Sequence, residues 1–320
     1  VHLSGLCHRD WLMRVLSRGF ALMGLERAGL RHPSGDQQGL GILLICGAVL
    51  CFTMMDATAK HLTQSYHPGQ VVWARFIVNV AILVLLFRSR IPALLRTRHP
   101  GLQFGRALTQ LASVGLFFTS LQFIGLAEAT AIMDTNPVLI TLGAALFLGE
   151  RIGLRRVMGI AAALVGAMII IRPGMGVFQS AALLPLIGAF TYAAGALLTR
   201  VVRGDSTATS VLWSALVGAT LTSVAVPFFW QPVAAADLWA FAALGLFGTI
   251  SQTLLIRAFA IAEAGVLAPF GYTGLVWAGL WGWLFFGQLP DRWTIVGAVI
   301  IVGAGLYVWS REARIARKDR

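Results

Sequence analysis

The sequence predicts an all-α integral membrane protein whose ten transmembrane helices form two inverted five-helix repeats. Three observations lead there. Of its 320 residues, 58% are hydrophobic and 12% charged, with a mean hydropathy of +0.78, whereas soluble domains carry about 25% charge. Apolar runs of about 20 residues, enough to cross a hydrocarbon core of about 30 Å, recur along most of the chain. The chain also echoes itself at a spacing near 138 residues.

Residues 1–38 form a basic segment, with Arg9, Arg14, Arg18, Arg27 and Arg31 around a short apolar stretch, Phe20 to Leu25. The stretch is too short to span, and no small-residue cleavage pattern follows it. It reads as an interfacial or disordered cytoplasmic segment. The first repeat, 39–173, places spans near Gly39–Leu62, Gln70–Phe87, Leu102–Gly125, Glu128–Leu148 and Gly153–Ile171. The second, 180–309, places them near Ala181–Val202, Thr207–Trp230, Leu238–Ile261, Ala264–Phe286 and Arg292–Trp309. Residues 310–320 make a basic cytoplasmic tail. With the N-terminus inside, 21 of the 25 Lys and Arg residues fall on the cytoplasmic side. The positive-inside rule therefore puts both termini in the cytoplasm. The same rule accounts for the net charge of +12 without nucleic acid, which is not an expected partner. Three cysteines give neither a disulfide framework nor a metal-ligand spacing, and no cofactor or metal is implied.

The repeat rests on particular residues. Gly125-Leu-Ala-Glu128 is echoed by Ile261-Ala-Glu263, Phe52-Thr53 by Phe190-Thr191, and Gly149 by Gly287. An odd number of spans per copy inverts the second copy, an architecture of secondary transporters with the substrate site near mid-membrane. Gly149-Glu150-Arg151 after a proline-containing fourth span, Ala268-Pro269-Phe270-Gly271-Tyr272, and Phe286-Gly287-Gln288-Leu289-Pro290 resemble the two EamA repeats of the drug/metabolite transporter superfamily. That resemblance implies ten helices, cytoplasmic termini and transport of small metabolites such as amino acids and their derivatives, nucleosides or vitamins.

The candidate site is built from charges inside the first repeat. Asp56 and Lys60 lie on the first span, Arg75 on the second and Asp134 on the fourth. Asp56, Arg75 and Asp134 each sit about 8 to 9 Å below the outer face. Charges at such depth are too costly to face lipid. Asp56 and Lys60, four residues apart on one face, are expected to pair, and Arg75 and Asp134 to form the second pair. Such pairs can simply fix helix packing. Their absence from the second copy, where Ala194, Leu198 and Trp213 replace Asp56, Lys60 and Arg75, favours a binding site for a zwitterion. Arg75 is the first choice for an anionic group. Asn136, Trp73, Tyr192, Phe270 and Tyr272 are candidate pocket walls. Pro137 and Pro269 are candidate bends, because each removes a backbone donor.

Trp281, Trp283, Trp293 and Trp309 read as packing or interfacial residues. Small-residue pairs, Ala162 with Gly166, Ala189 with Ala193 and Ala278 with Gly282, permit close helix contact within one chain or across a homodimer. A monomer and a homodimer both stay open.

These readings point to a secondary active transporter of the bacterial inner membrane, moving a small amino-acid-like, zwitterionic or amphiphilic metabolite by alternating access. A lipid or glycolipid flippase is the alternative. A membrane-embedded enzyme fits less well, for lack of a nucleophile, a Cys/His set or a nucleotide-binding glycine loop.

Overall fold

The computed structural model describes residues 35–87, 91–148, 154–172, 180–201, 205–262 and 264–318. The sequence-based expectations for residues 1–34, for Gly149-Glu150-Arg151 and for Glu263 lie outside them. Every regular element of the described chain is helical: α1 (Gly35–Thr63), α2 (Pro68–Phe87), the single turn α3 (Ile91–Leu94), α4 (Pro100–Ser120), α5 (Leu126–Met133), α6 (Asn136–Leu148) and α7 (Leu154–Ile171) in the first half. The second half holds α8 (Leu183–Val201), α9 (Thr207–Ala225), α10 (Leu238–Ile261), α11 (Ala264–Gly271), α12 (Thr273–Phe286) and α13 (Arg292–Lys318). α13 runs on through most of the segment expected as a separate tail. The end at which α1 finishes and α2 begins is termed the upper end.

Among the described residues, seven helical stretches are long and apolar enough to cross a membrane: Gln37–Thr63, Pro68–Leu85, Leu126–Phe147, Ser180–Thr199, Ala208–Phe229, Ala235–Ile261 and Arg292–Ser310. The other three expected spans are helical but less apolar, shorter or divided. α4 carries Gln103, Arg106 and Gln110, α7 offers Val157–Ile171, and 264–286 is interrupted at Tyr272. The outer surface belongs in a bilayer: Phe228 is 87% exposed, Phe147 80%, Val276 72% and Leu43 72%, and soluble monomers rarely display so much contiguous apolar surface.

The helices pack so that exchanging the two halves reproduces the neighbour pattern. α1 lies against α10 as α8 lies against α4, and α2 meets α10 as α9 meets α4. α1 packs on α11 and α12 as α8 packs on α5 and α6, while α2–α9 and α7–α13 pair with their own counterparts. The most intimate of these contacts is α7–α13, where a Cβ at Gly166 would stand 2.8 Å from the Gly297 carbonyl. Approach this close is open only to residues without a side chain.

Two helices are interrupted at equivalent places. α5 stops before Asp134-Thr135, where Pro137 cannot supply a backbone donor. At the break the Thr135 hydroxyl donates to the Ile132 carbonyl (2.8 Å), beside the bond from its own N–H. α11 stops before Tyr272, three residues after Pro269, and the Thr273 hydroxyl donates to the Phe270 carbonyl (2.6 Å). Thr135 and Thr273 stand 138 residues apart, the spacing of the repeat.

The small-residue pairs are consumed inside the chain. Gly166 abuts Gly297, Ala189 and Ala193 are buried with Leu139, and Ala278 is buried in the main core. They therefore do not mark a dimer face.

Asp291 anchors the start of α13, accepting the Thr294 N–H (2.8 Å) and pairing with Arg172 at the end of α7. Partial burial pushes the Asp291 carboxyl up, but bonds from Thr294 and Arg172 outweigh it and hold the group below the usual carboxylate range. Its contribution is therefore complete above the ordinary aspartate value of about 3.9 and is lost as pH falls through the lower folded value. Asp291→Ala is expected to lower stability by about 1 kcal/mol at neutral pH, as for a lost N-cap. The difference from the parent should vanish in strong acid when thermal unfolding in detergent is followed against pH.

Candidate functional site

The charges expected to pair do not pair that way. Lys60, one turn above Asp56 on α1, is 2% exposed. Its ammonium donates to the carbonyls of Leu121 (3.0 Å) and Ile124 (2.7 Å) and lies over the Phe286 ring at 5.5 Å. The reason is the turn from α4 to α5: Leu121 is the C-cap of α4 and Ile124 precedes the N-cap of α5, so both carbonyls lie beyond the helix at the negative end of its dipole. A buried cation satisfies them better than it would satisfy Asp56.

Asp56 instead acts electrostatically on Arg75 of α2. The guanidinium stacks between Phe118 (5.6 Å) and Phe76 (5.8 Å). Among the described residues, ion pairs within 4.0 Å join His61 to Asp237 and Arg172 to Asp291, so neither expected pair closes. Asp56 and Arg75 act on each other without closing an ion pair within 4.0 Å.

Asp134 does not reach Arg75, because the turn that ends α5 directs it toward the matching interruption in the second half. There Tyr272 is its electrostatic neighbour. Tyr272 occupies the space left by Gly305, where a Cβ would collide with its hydroxyl. Asp134 Oδ2 and Asn136 Oδ1 are buried without a hydrogen-bond partner, a situation that most buried polar atoms avoid.

Tyr192 is 38% exposed, and its position says to what. The exposed residues Leu183, Ile187, Phe190 and Ala194 of α8 lie within about 60° of one another on a helix of 3.6 residues per turn, and Tyr192 falls on the opposite side. With Thr199, exposed on the same side, it is turned toward the neighbouring helices, so the surface it exposes borders space within the bundle. One turn earlier on α8, a Cβ at Gly188 would lie 3.7 Å from Met133 Sδ, beside Asp134. Trp73 and Phe270 are placed elsewhere. The Trp73 indole donates to the Ser223 hydroxyl (2.9 Å) and meets Trp230 edge-on, while Phe270 packs with Ile45 and Leu267.

Sequence reasoning missed two features. Trp281, grouped above with packing and interfacial residues, donates its indole N–H to the Thr53 hydroxyl (3.1 Å), one turn from Asp56. It is stacked between Trp277 and Phe285. The four-residue spacing of those three rings was the available signal. The second is a cavity of about 540 Å³ at the upper end, lined by Lys60, Gln64, Glu128, Arg172, Gln288 and Asp291 together with apolar neighbours. It takes residues from both halves, but it opens above the expected mid-depth site. Lys60 forms part of its wall, about 6 Å along α1 from Asp56.

With this geometry in hand, comparison with known proteins decides the family. The profile of the EamA-like transporter family matches residues 39–172 and again 179–310. The chain belongs to the EamA-like transporter family. A riboflavin transporter of Rhizobium johnstonii is 31% identical over 87% of this chain and 94% of its own. A pseudopaline exporter of Pseudomonas aeruginosa is 29% identical over 82% of this chain and 94% of its own. An S-adenosylmethionine uptake transporter of Rickettsia bellii is 25% identical over 88% and 96%. A solved crystal structure shares the fold at a TM-score of 0.62 and 20% identity, covering 86% of this chain and 98% of that one. Two matches within one EamA-like chain agree with the exchanged packing of its halves.

Lys60→Met removes two charge-assisted bonds from the turn between α4 and α5 and is expected to destabilise the fold by about 3 kcal/mol. Gly305→Val should displace Tyr272 from Asp134 while leaving Asp56 and Arg75 undisturbed. Thermal unfolding in detergent and Tyr272 fluorescence quenching in a tyrosine-reduced background check the two outcomes.

Proposed function

We propose that the chain is a secondary active transporter of the bacterial inner membrane, crossing it ten times in two oppositely oriented five-span units with both termini in the cytoplasm. Its substrate is a small metabolite bearing both charges. An anionic group meets Arg75, and a cationic group meets Asp56 or Asp134. The observation that carries this reading is the open electrostatic pair Asp56–Arg75 beneath the upper cavity, accompanied by a buried carboxylate oxygen of Asp134 with no partner. Charges fixed in a low-dielectric hollow and left unclosed are complementary to a ligand that closes them.

The names of the relatives support a small-molecule cargo, and two of them, a pseudopaline exporter and an S-adenosylmethionine uptake transporter, fit an ionic one. Trp281 and Tyr192 supply ring faces to the same hollow. Alternating access uses the interruptions beside Pro137 and Pro269 as bends, since a broken helix turns there without breaking its regular hydrogen bonds.

Asp56→Asn and Arg75→Gln each leave a buried group unpaired. Each is expected to reduce flux of an accepted zwitterion at least about thirtyfold, with insertion into the membrane unchanged. Uptake into proteoliposomes, with S-adenosylmethionine and riboflavin compared side by side, checks this. Parental rates in both variants would remove the site and leave the fold intact.

A further inference from the structure

The two halves are tied to each other at both ends of the bundle, and the two ties sit at equivalent places in the repeat. At the upper end the start of α2 is held to the start of α10. Tyr66 donates its hydroxyl to Asp237 (2.7 Å) and accepts the Ala234 N–H (3.0 Å). Gln70 donates its side-chain amide to the Gln231 carbonyl (2.9 Å) and accepts the Gln231 N–H (2.9 Å).

At the lower end the start of α9 is held to the start of α4. Asp205 accepts from the Gln103 side-chain amide (2.8 Å) and from the Thr97 hydroxyl. Gln103 also donates to the Ser210 hydroxyl (3.2 Å). Arg106 donates to the Ser210 carbonyl and to the Ser214 hydroxyl (2.7 Å).

The correspondence reaches single residues. The helix starts joined are α2 with α10 and α9 with α4, which exchanging the halves interconverts. His99 and Asp237, the N-caps of α4 and α10, are 138 residues apart. Tyr66 stands two residues before α2, as Asp205 stands two residues before α9. The hub of each tie thus lies at the same distance from its helix start, one residue out of the 138-residue register, a phenol in one copy and a carboxylate in the other. Gln70 and Gln103 are both 0% exposed. Each donates a fully buried side-chain amide to the opposite half, and the Gln103 oxygen accepts from Arg106 on its own helix (3.2 Å).

We infer that these two hydrogen-bonded clasps are the gates of the transporter: the Tyr66–Gln70 clasp holds the upper end shut, the Asp205–Gln103–Arg106 clasp holds the lower end shut, and access to the hollow changes sides when one opens and the other stays closed. This rests on the alternating-access reading given above. A device that must open at one end at a time needs two separable ties of like position and unlike strength. Here one tie is built on a phenol, an amide and Asp237, which His61 also approaches, and the other on an acid, an arginine and an amide. Water can replace each partner once the helix starts separate, so neither tie has to break into a vacuum.

The test reads which face the hollow opens to, without any cargo. In a cysteine-free background, Tyr192→Cys places a thiol in the hollow, and a membrane-impermeant maleimide is applied to sealed vesicles of either orientation. Tyr66→Phe with Gln70→Ala is expected to raise labelling from the upper face about tenfold and to lower it from the lower face. Gln103→Ala with Asp205→Asn should do the reverse. The single changes Tyr66→Phe and Asp205→Asn give the same directions at smaller size and serve where a double variant is poorly folded, as judged by size exclusion. Labelling that is unchanged, or that shifts toward the same face for both clasps, overturns the inference. A chain that moves neither S-adenosylmethionine nor riboflavin but shows opposite labelling shifts keeps the clasps and loses the proposed cargo.

Discussion

Inside a bilayer no solvent stands ready to meet a carbonyl or a charge that the protein leaves unmet, and every such group must find its partner in the chain itself. The ammonium of Lys60 on the carbonyls of Leu121 and Ile124 follows directly. The turn that follows α4 carries these two carbonyls past the helix end, and they take the nearest donor. By taking Lys60, they leave Asp56 without its neighbour on the same helix. Asp56 then looks across to Arg75, which Phe76 and Phe118 hold from either side. An unclosed ionic pair in the hollow is the by-product of closing a helix end above it.

The duplication distributes these constraints unequally. Both copies interrupt one helix and steady the break with a threonine, Thr135 in one and Thr273 in the other. What the break presents differs: a carboxylate at Asp134, a phenol at Tyr272. The clasps differ likewise, with Tyr66 at the hub of one and Asp205 at the hub of the other. The backbone plan is common to both halves and the chemistry is divided between them.

The fold was largely legible in the sequence because its signals are local. Apolar runs mark helices, and Phe52-Thr53 recurring as Phe190-Thr191 marks the copies. Prolines at 137 and 269 announced interruptions that fall within three residues of them. The partners of the buried charges were not legible, for a physical reason. The rule that residues four apart interact compares two side chains on one helix and takes no account of carbonyls arriving from another, so it joined Asp56 to Lys60. Nothing in the string of letters tells whether Arg75 turns toward Asp56 or Asp134. Trp281 was undervalued similarly: tryptophan is common at membrane surfaces, and only packing reveals that this indole bonds to Thr53 inside.

The main-chain contact between Gly166 of α7 and Gly297 of α13 limits how such a molecule can deform. Where backbones touch there is no side chain to swing aside, so the two helices resist sliding and twisting against each other. They are also each other's counterparts under exchange of the halves, which places them on the axis of the pseudo-symmetry. Displacement of one half against the other is therefore hardest at this join, where backbone meets backbone.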